Sequence, residues 1–442
     1  MMSEAIGIVG LGGVSKRECY EYLRDKNYSI CLICGQNEIV PDGLFSSIIK
    51  IDTFHNHQKD VFTANLVLEE LSDRKISLSG ILTLWEDCVP LSSKLAELLN
   101  LPTNGYVTGA TVKNKFKTQR SLYSSPAKCV RELASKVCLP KSEKEIENWF
   151  SNTEAPSLMK LTHGSSAAGV FKVDSAQQAI SEIESLKRDY RTEFDLPGIG
   201  LGFGSEIMLT ELHSGSEHDV DIVIHDGELI AGFVSDNGET GAKYFAEITA
   251  VMPSQLSPSM SELLIQSASS AAYHLGLHTG VFNFEFIIVD TQPKLIDVNA
   301  RMGGFYIRNW IKRIWNYDIL DAAIECAMGG EPIHLQNKPT ATIVGAMLLP
   351  SAFANTLSQT RVNDIVTRAN INPNVIVSIF ETSFHIDRIV DEPWANIGCI
   401  TDSYSKSKKG LANFLDSFGL LEIDSDLKTS LSSLRGRHDE KI

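Results

Sequence analysis

The amino-acid sequence predicts a protein of more than one domain that combines an α/β part with α+β parts. Residues 5–100 alternate between strand and helix patterns, which predicts a parallel sheet covered by helices. The middle of the chain has successive strand patterns instead, including a predicted hairpin within 281–299. The chain has 442 residues, which is too many for one compact hydrophobic core, and two to four domains are therefore expected.

The predicted N-terminal sheet starts with the apolar run 5–9, and its second strand is 30–34. A glycine-rich turn, 10–13, follows the first strand, as it does in dinucleotide-binding domains. However, Ser15 stands where such a turn has its third glycine, and the second strand ends without an acidic residue for a ribose. A tight turn onto a helix is favoured, and NAD or FAD binding is kept as an alternative.

Changes in the strand and helix patterns divide the chain into four parts. The predicted parts are an N-terminal Rossmann-like domain at 1–105, an α+β subdomain with a Gly/Ser-rich segment at 106–200, a second α+β subdomain at 201–335 and a C-terminal lobe at 336–442. Ser142 and Ser259, each followed three residues later by glutamate, predict the starts of two helices. The polar tail from Ser425 is predicted to be loosely ordered.

The composition is typical of a globular protein with an acidic surface. The formal net charge is −15 and no basic tract offsets it, which argues against nucleic-acid binding. The sequence shows neither a signal-peptide pattern nor an apolar run of transmembrane length, so we expect a cytoplasmic protein without membrane association. Cys31 and Cys34 have C-x-x-C spacing without a second pair, which favours buried thiols in a strand over a zinc site.

The predicted hairpin carries the residues with the clearest chemistry. Alternation places Glu285 on one face of the first strand, and Asp297 and Asn299 on the matching face of the second. If the hairpin turns about residue 292, Glu285 lies opposite Asn299 and residue 287 lies opposite Asp297. Two carboxylates and an amide oxygen on one face suit Mg²⁺, which binds hard oxygen ligands together with phosphate oxygens and water.

An arginine and a pair of glycines follow the hairpin, at Arg301, Gly303 and Gly304. They place a cation and unshielded backbone amides beside the acids, which an ordinary solvent-facing hairpin does not need. The fork of a guanidinium suits bidentate contact with an oxyanion. The two glycines precede a predicted helix, so their N–H groups are candidates for binding a substrate carboxylate or an oxyanion.

The segment 280–304 resembles the end of an ATP-grasp domain. The resemblance implies that Glu285, Asp297 and Asn299 hold two Mg²⁺ ions, with Mn²⁺ as a substitute, and that Arg301 is catalytic and contacts the transferred phosphate. The second acid of that family is often glutamate, and the shorter Asp297 leaves a single ion as an alternative. The implied architecture is an ATP-grasp fold with an N-terminal Rossmann-like domain and a C-terminal lobe.

Upstream segments resemble the nucleotide-binding parts of the same family. The segment 157–170 is similar to its strand, lysine and small-residue flap, and 211–217 is similar to its adenine hinge and ribose contact. With ATP as co-substrate, these similarities imply a set of ATP-binding residues: Lys115, Lys160, Ser166, Glu211, Leu212 and Glu217.

The resemblance covers nearly the whole chain and is greatest to the ATP-dependent L-amino acid ligases of the carnosine synthase type. It implies an ADP-forming enzyme that joins small amino-acid substrates into a dipeptide through an acyl phosphate. The implied substrate-binding residues are Glu86, Arg301, Gly303 and Gly304. A homodimer is an assembly that the resemblance allows. Another ATP-grasp reaction, such as ATP-dependent carboxylation, and a non-catalytic ATP-binding module are kept as alternatives.

Overall fold

The strands of the protein form three sheets, two of four strands and one of eight. The structure is a computed structural model that describes residues 5–165, 167, 169–192, 198–240, 247–349, 359–380 and 393–436. Ser166, a predicted ATP-binding residue, lies outside the described residues. One sheet is parallel and the other two are antiparallel, which confirms the predicted combination of α/β and α+β parts.

The first sheet is parallel, as the alternating pattern predicts. Its region contains β1 (Ala5–Val9), a 3-10 helix (Val14–Lys16), α1 (Arg17–Asp25), β2 (Ile30–Gly35), β3 (Ser47–Ile51), α2 (Asp60–Asp73), β4 (Leu78–Leu82), a second 3-10 helix (Glu86–Cys88) and α3 (Val89–Leu98). The strand order is β3-β2-β1-β4. Helices α2 and α3 pack on one face of this sheet and α1 packs on the other.

The glycine-rich turn after β1 is a close-packed turn. Gly10 and Gly12 have φ values of +86° and +66°, which glycine adopts without strain. A Cβ on Gly10 would lie 2.4 Å from Cys88 Sγ, and one on Gly12 would lie 2.9 Å from Trp85 Cε3. The glycines therefore allow the turn to pack against the segment after β4.

The second sheet is small, antiparallel and ordered β5-β8-β6-β7. Its region contains α4 (Tyr106–Lys113), α5 (Lys115–Tyr123), α6 (Lys128–Arg131), β5 (Val137–Cys138), α7 (Glu143–Asn152), β6 (Ser157–Leu161), β7 (Phe171–Val173), α8 (Ala176–Thr192), a 3-10 helix (Leu201–Phe203) and β8 (Ile207–Glu211). Helices α7 and α8 cover one face of the sheet. As predicted, Ser142 caps α7, because its Oγ accepts from the backbone N–H of Glu145 at 3.4 Å.

The third sheet has eight antiparallel strands and includes the predicted hairpin. Its region contains β9 (Ser216–His225), β10 (Glu228–Asn237), β11 (Thr249–Met252), α9 (Pro258–Leu275), β12 (Gly280–Val289), β13 (Gln292–Asn299), α10 (Ile307–Trp315), α11 (Ile319–Ala327), β14 (Thr342–Leu348), α12 (Gln359–Ile371), β15 (Val375–Ile379), β16 (Ala395–Thr401), α13 (Tyr404–Asp416), α14 (Leu420–Ile423) and α15 (Ser425–Ser433). The order is β13-β12-β9-β10-β11-β14-β16-β15. The C-terminal strands therefore extend the same sheet that holds the hairpin.

The two faces of this large sheet have different partners. Side chains such as Ile222 and Phe284 pack against α9. The opposite face of the sheet, at one end of the hairpin strands, contributes to a core that α10, α11 and the N-terminal sheet share. Trp310 of α10 lies in this core and is only 1% exposed. The polar side chains of the hairpin lie on this second face, toward the N-terminal domain.

The register of the hairpin differs from the predicted one. Glu285 pairs with Asp297, and Asn299 pairs with Asn283, so the predicted pairing of Glu285 with Asn299 is wrong. The turn is at Asp290–Thr291, and a β-bulge between Glu285 and its neighbour inserts one extra residue in β13. Beyond the bulge, Leu295 pairs with Phe286 and lies on the apolar face.

Two helix predictions are corrected by the structure. The N-cap of α9 is Ser257 and not Ser259, because Ser257 Oγ accepts from Met260 N and a proline follows it at the first helical position. The tail from Ser425 forms α15, whose Leu427 and Leu431 are buried. An amphipathic packing face therefore orders a segment whose composition is polar.

The domain boundaries at 105, 200 and 335 remain predictions. Strand β8 pairs within the small sheet although it follows residue 200. Cys31 and Cys34 are buried free thiols in β2, as predicted. Within the described residues, no helix combines the length and the apolar character needed to cross a bilayer.

Candidate active site

The main cavity of the protein has a volume of about 320 Å³ and lies where the three sheets meet. Ligand sites typically occupy such concave spaces between subdomains. Its described walls come from the N-terminal turn, the small sheet, the hairpin and β14. The predicted site residues among its lining are Glu86, Lys115, Lys160, Glu211, Leu212, Glu217, Glu285, Asp297, Asn299, Arg301 and Gly304.

The acids of the hairpin form the floor of this cavity. Neighbouring strands β12 and β13 present Glu285 and Asp297 side by side as a cross-strand pair. The Asn299 amide nitrogen donates to Glu285 Oε1 and to Asn283 Oδ1, each at 3.0 Å. Burial, together with the charge of Asp297, raises the pKa of Glu285 to about 8. Two carboxylates this close favour a bound cation between them.

Two lysines, Lys115 and Lys160, line the same cavity as the acids. Lys115 begins α5, where its backbone N–H donates to Thr162 O at 2.8 Å, and its ammonium forms an ion pair with Asp297. Burial alone would lower the pKa of Lys115, but the carboxylates of Asp297 and Glu285 raise it. Lys160 lies on β6, and burial together with the charge of Lys115 lowers its pKa. A polyanion between the two lysines would compensate both charges.

Arg301 is held by three contacts directly after β13. One terminal nitrogen donates to Met302 O at 2.8 Å, the other approaches Asn299 Oδ1 at 3.4 Å, and Nε lies 3.5 Å from Glu86 Oε2. Glu86 is only 7% exposed, and burial raises its pKa. The contacts fix the plane of the guanidinium beside the acids, so its fork has one orientation toward the cavity.

The glycine pair after Arg301 has two different environments. The Gly303 N–H donates to Asp221 Oδ1 at 2.9 Å, and a Cβ on Gly303 would lie 2.6 Å from that oxygen. Burial and the charge of Asp219 raise the pKa of Asp221 to about 7. The Gly303 N–H is thus occupied by a protein acceptor, whereas Gly304 lines the cavity.

A second row of acids lies beside the hairpin, on β9 and directly before β11. Glu217 faces Ile287 across the strand pair and Asp219 faces Glu285. The Asn237 amide donates to Asp219 Oδ2 at 3.0 Å. Burial raises the pKa of Glu217 and of Glu247, which precedes β11 and also lines the cavity. The cavity is therefore strongly acidic on the sheet side and basic on the side of the small sheet.

The predicted adenine hinge follows β8. Glu211 is the last residue of this strand, and its carboxylate accepts from the backbone N–H of Lys136 at 2.9 Å. Leu212 and His213 continue into the cavity wall. The carboxylate of Glu211 is thus engaged in joining the start of β5 to β8.

The chain is similar to known proteins in sequence and in structure. Human carnosine synthase 1 is 32% identical to the chain over 425 residues, which are 95% of this chain and 51% of that protein. An L-amino acid ligase from Bacillus licheniformis has a similar structure, with a TM-score of 0.74 at 16% identity, covering 94% of this chain and 98% of the other. The chain has the ATP-grasp fold.

A further ATP-grasp structure extends the comparison. The biotin carboxylase domain dimer of a 2-oxoglutarate carboxylase from Hydrogenobacter thermophilus, in complex with MgADP, ADP and bicarbonate, has a TM-score of 0.68 at 13% identity and covers 94% of this chain and 90% of that chain. No family model matches the sequence. The chain spans about half the length of the human relative.

Some residues of the cavity were not identified as site residues by any pattern in the sequence. Asp219 and Asp221 alternate with valine and isoleucine along β9, so both acids were part of a predicted strand. Only the pairing of β9 with β12 shows that they lie beside Glu285 and Asn283. Glu247 precedes β11, a strand that was not predicted. Lys16 follows the glycine-rich turn and lines the cavity while only 6% exposed.

Proposed function

We propose that this ATP-grasp protein is an ADP-forming carboxylate–amine ligase that joins two amino acids. The observation that carries the proposal is the cavity in which Lys115 and Lys160 face Glu285 and Asp297, with Arg301 beside them. This arrangement suits the terminal phosphates of ATP. The similarity to carnosine synthase 1 and to an L-amino acid ligase supports amino acids as the substrates.

The side chains present fit a divalent cation and a nucleotide. The donor set of Glu285 and Asp297 is anionic oxygen, which Mg²⁺ prefers, and the raised pKa of Glu285 reflects charge that a cation would neutralise. Within the described residues, no group of three or more acidic, histidine or cysteine side chains forms a metal site by itself. Phosphate oxygens and water would complete the shell. When bound, Mg²⁺ neutralises phosphate charge during phosphoryl transfer.

The Asn299 amide has a different part in this arrangement. Its nitrogen donates to Glu285 and its oxygen faces Arg301. In this orientation the amide positions Glu285 and the guanidinium, and it would have to rotate to offer its oxygen to an ion. We propose Glu285 and Asp297 as the principal metal ligands and Asn299 as a ligand after that rotation.

The remaining residues account for the chemistry of ligation. Lys115 and Lys160 hold the phosphates, and the backbone at Leu212 faces the site where adenine would lie. Arg301 orients a substrate carboxylate toward the terminal phosphate and stabilises charge on the phosphoryl group. The carboxylate attacks that phosphorus and ADP leaves. The amine of the second substrate then attacks the acyl phosphate, loses its proton, and inorganic phosphate departs.

The reaction products test the proposed function. With ATP, Mg²⁺ and a matrix of amino-acid pairs, we expect ADP and phosphate together with a new amide, because the cations surround the terminal phosphate. β-Alanine with L-histidine is the first pair, on the similarity to carnosine synthase 1. Chromatography of the nucleotides and mass spectrometry of the products are the measurements. AMP as the nucleotide product contradicts the mechanism, and ADP formation that requires bicarbonate would indicate a carboxylase instead.

Removing the ammonium of Lys160 tests the nucleotide site. Substitution Lys160→Ala is expected to weaken ATP binding about 10- to 100-fold, the effect of losing one charge-assisted hydrogen bond. Titration calorimetry with a non-hydrolysable ATP analogue measures the dissociation constant. Lys172→Ala is the matched control, because Lys172 is exposed on the neighbouring strand β7. An unchanged dissociation constant for Lys160→Ala would exclude Lys160 from phosphate binding.

Several finer features are also part of the proposal. We propose two Mg²⁺ ions per active site, replaceable by Mn²⁺, a cytoplasmic location and a homodimer. A dimer is supported by the biotin carboxylase domain dimer among the similar structures. Light scattering of the purified protein and metal titration of its ATP-analogue complex measure the subunit number and the ion number.

A further inference from the structure

His57 connects the N-terminal domain to the region of the small sheet. It precedes α2, and its side chain is only 7% exposed. Its backbone N–H donates to Phe203 O at 3.1 Å, and its Nε2 donates to Gly198 O at 2.9 Å. Its imidazole ring stacks on that of His163, with 4.7 Å between the ring centroids and 19° between the ring planes. Three separate contacts therefore join this one residue to the small-sheet region.

The imidazole of His57 is held mainly by its stacked ring and by its Nε2 atom. The buried Nδ1 atom has no hydrogen-bond partner within the part of the chain that the structure describes. Asp60 Oδ2 lies 3.5 Å from this nitrogen, which is the distance of an ion pair without a hydrogen bond. The ring contact and the Nε2 hydrogen bond can therefore be removed separately by substitution.

His163 lies at a junction that supports both of the proposed phosphate lysines. Lys160 is in β6, three residues before His163. The residue between this strand and His163 is Thr162, whose carbonyl oxygen accepts from the backbone N–H of Lys115 at 2.8 Å. A shift of His163 would therefore move the backbone that carries one lysine and the acceptor that holds the start of α5, where the other lysine lies.

The predicted flap begins directly after His163. Its described residues Gly164, Ser165 and Ala167 line the main cavity, whereas His163 is not among the described lining residues. Burial, together with the charges of His57 and nearby lysines, lowers the pKa of His163 to about 2, so its ring is neutral at physiological pH. The stacked ring is thus a neutral packing surface at the base of the flap.

We infer that His57 is a positioning residue for the phosphate-binding half of the site, because its ring fixes His163 at the base of the flap. The inference rests on the proposed ATP site. It goes beyond that proposal because His57 is not among the described residues that line the cavity. Without the stacked ring, ATP binding has to order this segment, and the ordering lowers the affinity for ATP.

The test separates the ring of His57 from its hydrogen bond. His57→Gln removes the ring and keeps a side-chain donor for Gly198 O, whereas His57→Phe keeps a ring and removes the donor. We expect His57→Gln to raise the dissociation constant of a non-hydrolysable ATP analogue about 2- to 10-fold, the scale of one aromatic pair. His57→Phe should bind the analogue like the wild type. The KM for ATP should follow the same order, with kcat little changed.

Hydrogen exchange in the ligand-free protein measures the order of the segment directly. Backbone amides of residues 162–165 should exchange faster in His57→Gln than in the wild type and in His57→Phe. This measurement needs no nucleotide, so a wild type that fails to bind the ATP analogue contradicts the proposed function alone. Equal exchange in the wild type and His57→Gln overturns the inference. With a wild type that binds the analogue, unchanged affinity in His57→Gln, or an equal loss in His57→Phe, also overturns it.

Substitutions of His163 supply the reciprocal test and the safeguard against unfolding. His163→Gln should reproduce the effect of His57→Gln, and the double variant should lose no further affinity, because both changes remove the same stack. Additive losses contradict the inference. His334→Gln removes an exposed histidine outside the described lining of the cavity and should leave every constant unchanged. Thermal unfolding is recorded for each variant, and if His57→Gln is unstable, His163→Gln and His163→Phe decide between the same outcomes.

Discussion

Turnover should fall by at least about 100-fold when Glu285 is replaced by glutamine, on the scale that loss of residues around a metal site produces. Glutamine keeps the shape of the side chain and can still accept the hydrogen bond from Asn299, but it removes one of the two anionic ligands. The charge of the transferred phosphate is then less neutralised. Steady-state rates across a range of Mg²⁺ concentrations measure the effect, because a weakened metal site requires more Mg²⁺ for half-maximal rate.

The fold should survive this substitution. The pKa of Glu285 is raised to about 8 by burial and by nearby carboxylates, so its ionised form opposes folding at neutral pH. A neutral glutamine removes that repulsion, and the ligand-free variant should unfold at or above the temperature of the wild type. Glu262→Gln, on the exposed side of α9, is the control. Near-normal turnover of Glu285→Gln at saturating Mg²⁺ would remove Glu285 from the metal site.

Asn299→Ala complements that experiment. The amide donates to Glu285 and lies near Arg301, so its loss frees two side chains of the proposed active site at once. We expect turnover to fall about 10- to 100-fold, which is less than for Glu285→Gln because both anionic ligands remain. Asn299→Asp separates the two roles, because aspartate offers an oxygen to an ion but cannot donate to Glu285. Recovery of activity in Asn299→Asp would assign metal ligation as the main role of Asn299.

Replacing Arg301 by lysine should reduce kcat by about 100- to 1,000-fold although the positive charge is kept, the scale of losing one preorganised donor to a developing anion. The guanidinium contacts Met302 O, Asn299 and Glu86 through different nitrogens, which fixes its plane. A lysine ammonium is a flexible point charge and cannot reproduce both the contacts and the fork. The KM for ATP should change little.

Arg313→Lys is the matched control for this prediction. Arg313 is exposed on α10, outside the described lining of the cavity, and its conservative replacement should leave kcat unchanged. Single-turnover measurement of ADP formation separates the phosphoryl step from product release. If Arg301→Lys retains kcat within a few-fold of the wild type, the catalytic role proposed for Arg301 is wrong.

The hairpin shows what sequence periodicity can and cannot predict. Alternation along the strand correctly placed Glu285 on the face opposite the phenylalanines, because side-chain direction has a period of two. The pairing with Asp297 depends on the bulge in β13, which adds one residue without a compositional signal. Local pattern therefore predicted the face of Glu285, but it did not predict the register of the hairpin.

Some residues that reach the site from distant elements could not be identified from the sequence. Lys16 follows a turn whose glycines are explained locally by Cys88 and Trp85, and its approach to Gly304 depends on how the N-terminal domain packs on the large sheet. Asp219 becomes a site residue only through the pairing of β9 with β12. Both cases require contacts between segments far apart in the chain, which no local pattern encodes.

The place of β14 in the large sheet bears on how the protein can be shortened. This strand lies between β11 and β16. Met347, which is in β14, and Leu349, which directly follows β14, line the cavity. A chain that ended at residue 335 would leave the backbone of β11 unpaired along one side, which is a template for aggregation. During synthesis, that edge stays open until β14 has emerged from the ribosome. Truncation at residue 335 would therefore preserve Glu285 and Asp297 in the sequence while destroying the solubility of the sheet that presents them.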